Sequence, residues 1–224
     1  MQPSADDTAA ILVLGIGNVL WADEGFGVRC AEALAARYHV PAHVDILDGG
    51  TQGLYLLPYV QAASKLLILD AVDYGLAPGS VLRVTDSAVP RYLGAKKLSL
   101  HQTGFQEVLA LADLLEKLPA HITLIGCQPE TLDDFGGSLR PKLLDSLEVA
   151  LELAVEQLSA WGARPVLRDA ASPSPAQCPV ASLALERYEA ERPSETTAYR
   201  RGDARFLELA RAQHAAATPR DGEP

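Results

Sequence analysis

The most informative stretch of the chain is residues 10–29, AILVLGIGNVLWADEGFGVR. It opens with an apolar run typical of a buried β-strand, and residues 25–38 have the apolar spacing of a helix. A glycine-containing turn between a strand and a helix is also how a dinucleotide-binding loop begins, but Leu20 stands where that fingerprint has its third glycine. The stretch therefore predicts a strand–turn–helix unit, with either a nucleotide loop or a loop built around Asp23 and Glu24.

The rest of the chain up to residue 162 repeats this alternation of strands and helices. Further strands are predicted at residues 43–47, 64–72, 80–84 and 121–127, and further helices at residues 54–60, 100–117 and 140–161. The helix at 54–60 is expected to be short and interrupted at Pro58. The segment SKLLILDAV at 64–72 is typical of a central parallel strand, whereas SVLRV at 80–84 is expected at a sheet edge. We therefore predict an α/β fold, a three-layer sandwich in which helices cover both faces of a twisted, mostly parallel sheet of about five strands.

The two longest predicted helices have clear apolar faces. In the helix at 100–117 the face expected to be buried consists of Phe105, Val108, Ala112 and Leu115. In the helix at 140–161 it consists of Leu144, Leu147, Leu151 and Leu158.

The composition changes at Gly162 and divides the chain into three parts. Residues 1–9 predict a polar N-terminal tail, and residues 10–162 hold the strands and helices of the α/β domain. Residues 163–224 form an extension rich in Pro, Ala, Arg and Glu, which begins with a proline-rich linker at 163–179. The extension is expected to be a flexible tail, partly disordered or with short helices, and either a mobile appendage or a docking element for a partner.

Charge and cysteine content narrow the class of protein. The formal net charge is −10, and all of it falls in residues 1–162, because the extension carries equal numbers of acidic and basic residues. An acidic body is a poor nucleic-acid binder, since phosphate contacts need a basic face.

No apolar run approaches the ~20 residues that span a bilayer, and the N-terminus lacks the basic region of a secretory signal. Cys30, Cys127 and Cys178 have no metal or disulfide spacing, which favours a reducing cytoplasm.

Three side chains suited to metal or acid–base chemistry fall near predicted strand ends. Glu24 follows the first strand, Asp70 ends the third, and His101 lies just inside the start of the helix at 100–117. Parallel strands end at the same edge of a sheet, so these groups are expected on adjacent loops there. Two carboxylates and one imidazole are a common ligand set for a borderline divalent ion. Taken singly, they have plainer interpretations, as a helix cap, a turn residue and a surface histidine.

Local electrostatics favour the ligand interpretation. If Asp23 caps the first helix, the helix N-terminus stabilises the ionised form of Glu24. The start of the next long helix likewise disfavours imidazolium at His101, and a metal requires neutral imidazole. Asp70, at the end of an apolar strand, is costly to bury without a partner, and a cation is one such partner.

Two other features lie at strand ends. The glycine-rich stretch DGGTQG at residues 48–53 is either an ordinary flexible loop or a backbone edge with which a peptide pairs. Cys127 ends the last strand, but the sequence places no base beside it, so we interpret it as core packing rather than as a nucleophile.

Five segments resemble, in their order and spacing, the nickel–iron hydrogenase maturation endopeptidases. They are GIGNVLWADEGFGVR, DILDGGTQG, LLILDAV, SLHQTGFQEVL and LIGCQPETL. The resemblance extends over roughly residues 10–162. It implies an endopeptidase that removes the C-terminal extension of a hydrogenase large-subunit precursor after nickel has been inserted.

The resemblance also implies the roles of individual residues. Glu24, Asp70 and His101 match the family's metal-contacting residues and are the expected catalytic group, while the nickel itself is carried by the substrate. The segment associated with substrate recognition matches Asp48, Gly49, Gly50 and Thr51. A cytoplasmic monomer is expected, with the precursor as its partner.

The chemistry and two competing functions stay open at this point. Nickel either anchors the scissile peptide near the carboxylates or polarises its carbonyl group as a Lewis acid, or else Glu24 or Asp70 activates water. No serine or cysteine machinery is evident. The competing functions are a non-catalytic nickel-sensing maturation chaperone and a nucleotide-binding α/β module, against which Leu20 argues.

Overall fold

The computed structural model describes residues 9–89, 100–132, 135 and 138–169, together with 187 and 190, and for residues 100–103 it describes the backbone alone. The strands are β1 (Ile11–Ile16), β2 (Tyr38–His39), β3 (Val44–Gly50), β4 (Lys65–Ala71), β5 (Val81–Thr85), β6 (His121–Cys127) and β7 (Val166–Leu167). The α-helices are α1 (Phe26–Arg37), α2 (Leu57–Ala62), α3 (Leu100–Leu114) and α4 (Pro141–Ala160). The predicted tails fall almost wholly outside the described residues, and the proposed domain boundaries stay predictions.

Within the described residues, five strands form the main sheet, in the order β3–β1–β4–β6–β5. Neighbouring strands are parallel, except that β5 runs antiparallel to β6 at one edge. The four parallel strands therefore end together, at Ile16, Gly50, Ala71 and Cys127, along what we name the C-terminal edge. The chain leaves β1 toward β3 and then returns to β4 on the other side of β1, so a crevice is expected between the ends of β1 and β4.

Helices cover both faces of this sheet and form two cores. On one face α1 and α4 pack against strand residues such as Val13 and Leu67. On the other face α2 and α3 pack against their neighbours along the strands, such as Leu14 and Ile68. Successive residues of a strand alternate between the two cores because side chains along a strand point to opposite faces. The predicted three-layer α/β sandwich is confirmed.

Three local predictions about helices were wrong. Pro58 does not interrupt a helix but lies in the first turn of α2, where its missing N–H has no intrahelical partner to lose. Leu115 is 49% exposed because α3 ends one residue before it. Leu144 is 39% exposed because Leu143 takes the inward position in the first turn of α4. None of the helices within the described ranges is long and apolar enough to cross a membrane.

A second, two-stranded sheet ties the end of the described body to α1. In it β2 pairs antiparallel with β7. Arg168 Nε donates to the carbonyl oxygens of Ala35 and Tyr38, two of the acceptors that a helix end leaves unsatisfied. α1 starts at the C-terminal edge and ends near the other end of the strands, where β2 follows it and pairs with β7. Asp169 therefore lies at the end of the sheet opposite to the C-terminal edge.

Candidate active site

The turn that carries Glu24 lies over the ends of β1 and β4. It is a 3₁₀ turn, Ala22–Gly25, that leads directly into α1. A Cβ added to Gly27 would overlap the carbonyl oxygens of Leu69 and Ile16, so α1 starts in contact with both strand ends. Glycine is therefore required at this position by the close approach of the sheet.

Asp70 lies on the neighbouring strand, one residue beyond that contact. Its side chain is 1% exposed and that of Glu24 is 9% exposed. Asp70 alternates with Leu69 along β4 and shares the face of Ile68, which packs in the core beneath α2 and α3. Glu24 and Asp70, the two carboxylates predicted to contact a metal, are thus both buried at the C-terminal edge, close to the β1–β4 crevice.

His101 lies in the first turn of α3, which covers the same face of the sheet as Asp70. The side chain of His101 lies outside the described residues, and only the backbone of this turn is described. A Cβ on Gly104, one turn further along, would stand 3.6 Å from the Cα of Gly53, which follows β3. The first turn of α3 is therefore at the C-terminal edge, as are Glu24 and Asp70.

The predicted metal site is only partly described. Within residues 9–89, 104–132 and 138–169, no three His, Cys, Asp or Glu side chains are grouped so that they could hold a metal ion. The side chain of His101, the third predicted ligand, is not among these residues. Nickel contact by Glu24, Asp70 and His101 therefore stays a prediction.

Asp23 does not cap a helix, so that prediction was wrong. Its carboxylate is 0% exposed and makes no cap hydrogen bond to the 3₁₀ turn or to α1. It accepts backbone hydrogen bonds from Glu130 (2.8 Å), Thr131 (3.0 Å) and Arg140 (2.8 Å), which lie far along the chain between β6 and α4. With two buried acids just before α1, the helix start is also a poor phosphate site, which disfavours the nucleotide-binding alternative.

The predicted recognition segment, Asp48 to Thr51, is largely a continuation of β3 rather than a free loop. β3 extends through Gly50, and Gly49 is a bulge skipped in the pairing with β1. Gly49 is buried, whereas Asp48 and Thr51 are exposed. β3 lies at the edge of the sheet, and no other described strand pairs with its outer side. An extended peptide can add to such an edge as a further strand.

Partial burial raises the pKa of Asp48, and the negative charge of Glu32 raises it further. A backbone hydrogen bond from Gly50 and the charge of Arg29 oppose this effect on the pKa. Arg29 is itself buried and forms an ion pair of 2.9 Å with Glu32. The predicted recognition segment therefore carries a carboxylate whose charge is disfavoured by its surroundings, a common feature of functional sites.

We expect Asp48→Asn to be as stable as the native protein at about pH 7, or more stable. A raised folded-state pKa means that ionised Asp48 opposes folding; the effect shrinks as pH falls through that pKa and is gone below the unfolded value of about 3.9. Melting temperatures of both proteins across this pH range measure the difference. A variant that is less stable at neutral pH than at acid pH, relative to the native protein, would contradict the assignment.

Two residues that the sequence analysis did not single out lie beside Asp70. The hydroxyl of Tyr74 occupies the space over Gly126, the residue that pairs with Asp70 across the sheet. Gln128 is buried, and its Oε1 accepts the backbone N–H groups of Tyr74 (2.8 Å) and Leu76 (3.1 Å). The only sequence signal for Gln128 is a polar residue directly after a buried strand.

Comparison with known proteins places the chain in a family. The model of the family described as hydrogenase maturation protease matches residues 28–157, more than half of the chain. The chain belongs to the hydrogenase maturation protease family. Hydrogenase expression/formation protein HoxM of Cupriavidus necator is 57% identical over 197 residues, which are 88% of this chain and 98% of that protein.

Relatives from Escherichia coli match the α/β body. Hydrogenase 2 maturation protease is 41% identical over 161 residues, 71% of this chain and 97% of that protein. The solved structure of the hydrogenase maturating endopeptidase HybD has a TM-score of 0.68 and 39% identity, and the match covers 71% of this chain and 98% of that one. The resemblance, the fold and the assignment as a protease are thus confirmed. The longer match to HoxM continues into the C-terminal extension of this maturation protease.

The surroundings of Cys127 do not suit the nucleophile of this maturation protease. Cys127 is fully buried. Burial raises the pKa of its thiol to about 12, helped by the charge of Asp23 and opposed by a hydrogen bond with Ser146. Burial likewise raises the pKa of Cys30, and the neighbouring Cys127 adds to the shift. A nucleophilic cysteine requires the opposite shift, so core packing explains both residues.

We expect neither of these thiols to react in the folded maturation protease. In a Cys178→Ser background, a thiol reagent at about pH 8 should modify neither Cys30 nor Cys127 until denaturant is added, because only thiolate reacts and neither thiol ionises there. Intact mass before and after unfolding counts the modified thiols. Rapid modification of one thiol in the folded protein would show that a reactive cysteine exists.

Proposed function

We propose that this maturation protease removes the C-terminal extension of a hydrogenase large-subunit precursor after nickel insertion. In this proposal Glu24, Asp70 and His101 contact the nickel that the precursor carries. The observation that supports it is the burial of Glu24 and Asp70 at one edge of the sheet, where the first turn of α3 brings His101. Carboxylates and imidazole together suit a borderline divalent ion.

The proposed chemistry separates holding the substrate from cleaving it. The precursor keeps its nickel on its own ligands, and the protease side chains take the open positions. This contact fixes the scissile peptide beside the carboxylates, so part of the rate gain comes from positioning. Either Glu24 or Asp70 can accept the proton of the attacking water. Polarisation of the scissile carbonyl group by the precursor's nickel is the alternative source of rate.

The outer edge of β3 suits the precursor's extended C-terminal segment. Its backbone groups can bind that segment as an added strand, and the exposed side chains of Asp48 and Thr51 then contact its residues. The bulge at Gly49 shifts the register of β3 on β1, and a bulge increases the local twist of its strand. In this arrangement the peptide runs along β3 toward the β1–β4 crevice.

The intact mass of the large subunit tests this proposal. Nickel-loaded precursor is incubated with and without the purified protein. A protease leaves a large subunit that is lighter by its C-terminal extension, only where the protein is present. A non-catalytic nickel-sensing chaperone would instead bind the precursor and leave its mass unchanged, which would refute the proposal.

A further inference from the structure

The connection between β6 and α4, residues 128–140, is hydrogen-bonded to both segments that carry the buried carboxylates. On one side it meets the turn that contains Glu24. There the carboxylate of Asp23 accepts the N–H groups of Glu130, Thr131 and Arg140, all within 3.0 Å. Carboxylates that accept several backbone N–H groups form charge-assisted hydrogen bonds, which are stronger than neutral ones.

On the other side the same connection meets the loop that follows Asp70. Gln128 Oε1 accepts from the backbone of Tyr74 and Leu76, and its Nε2 donates to Asp73 Oδ1 at 3.0 Å and to the carbonyl oxygen of Pro129 at 3.2 Å. The carboxamide thus uses both lone pairs and both N–H groups. A fully satisfied buried amide of this kind holds one rotamer and fixes the loop that it bonds.

The connection also bonds through its ends. Arg140, the residue before α4, is the third donor to Asp23, so the anchor includes the start of a long helix. Trp21, just before the Glu24 turn, forms a β-bridge with Phe135, and their rings meet edge-on with centroids 5.3 Å apart. Through these contacts the turn before α1 is held against Phe135 and Arg140 of the connection before α4.

We infer that Asp23 and Gln128 are positioning residues that together set the separation of Glu24 from Asp70. Asp23 holds the Glu24 turn to the connection, and Gln128 holds the loop after Asp70 to the same connection. Neither side chain is required to touch the substrate. The catalytic consequence rests on the proposed function of Glu24 and Asp70, whereas the mechanical coupling is a property of the folded chain alone.

Asp23→Asn tests both parts because it keeps the shape of the side chain and replaces an acceptor oxygen with an NH₂ group that cannot accept an N–H. We expect kcat for the nickel-loaded precursor to fall by about a hundredfold, the effect of a misplacement near 1 Å, with little change in KM. Amide hydrogen exchange should rise at Glu130, Thr131 and Arg140. It should rise as well at Tyr74, across the connection.

Asp86→Asn is the matched control. Asp86 Oδ1 accepts the backbone N–H of Ile122 at 3.1 Å. Ile122 lies near the start of β6, at the end of the sheet opposite to the C-terminal edge. This variant should raise exchange at Ile122 and leave kcat unchanged. If Asp23→Asn does not fold, Gln128→Met is measured instead, and its increase in exchange at Tyr74 must spread to Glu130.

The outcomes separate the two proposals. An unchanged kcat in the folded variant would overturn the positioning role while leaving the proposed function intact. An increase in exchange that stays on one side of the connection would overturn the coupling, whether or not the protein cleaves anything. A native protein that leaves the precursor uncut would refute the proposed function, and the exchange pattern alone would then decide the coupling.

Discussion

Replacing Asp70 by Asn is expected to lower the rate of precursor processing by about 10²–10⁴-fold, the range that a positioned proton acceptor contributes. Asn has nearly the shape of Asp but takes no proton from water and is a weaker metal ligand. The initial rate of appearance of the shortened large subunit measures the effect. The melting temperature confirms that the variant is folded.

Glu24→Gln, measured in the same way, distinguishes the open mechanisms. If one carboxylate is the proton acceptor, its variant still binds the nickel-loaded precursor but does not cleave it. If both carboxylates act only by holding the nickel, both variants lose binding and cleavage together. Glu152→Gln, an exposed carboxylate on α4, is the control and should retain full activity. Processing by Asp70→Asn at the native rate would remove Asp70 from the site.

Gly27→Ala is expected to have the largest effect on stability, a loss of about 3 kcal/mol, the upper end of the usual overpacking range. The new methyl group would overlap the carbonyl oxygens of Leu69 and Ile16. Both oxygens belong to strands inside the sheet, so neither can move away without breaking strand pairing. Urea denaturation measures the loss. Processing per folded molecule should also fall, because the Glu24 turn is displaced with the start of α1.

Gly104→Ala is the matched control for this prediction. A Cβ at that position meets the Cα of Gly53 at 3.6 Å, an ordinary contact. Inside a helix Ala is favoured over Gly by roughly 0.5–1 kcal/mol, so the variant should be at least as stable as the native protein. Equal stability of Gly27→Ala and the native protein would mean that α1 does not touch the strand ends.

The layered fold was predictable because its signals are local. Buried parallel strands are nearly continuous in apolar residues, so the apolar residues before Asp70 indicated both β4 and the position of its end. The run before Gly15 did the same for β1. Since parallel strands end at one edge, the order of strands and helices in the sequence was enough to predict that Glu24 and Asp70 lie at the same edge.

The parts that failed depend on tertiary contacts. Asp23 looks like a helix cap by position, but its partners are N–H groups far along the chain, and no local pattern indicates them. Leu115 lies one residue beyond the end of α3, and Leu143 takes the inward position beside Leu144, so the apolar spacing of both helices misidentified a buried residue. Gln128 is one polar residue among many until the loop after Asp70 folds around its carboxamide.

The measurement that tests the central claim most directly is cleavage of nickel-loaded and metal-free precursor, side by side, by the native protein. The mass of the large subunit after incubation reports cleavage in both cases. We predict that the nickel-loaded precursor loses its C-terminal extension and that the metal-free precursor stays intact. Equal cleavage of the two would contradict recognition of the substrate's nickel by Glu24, Asp70 and His101.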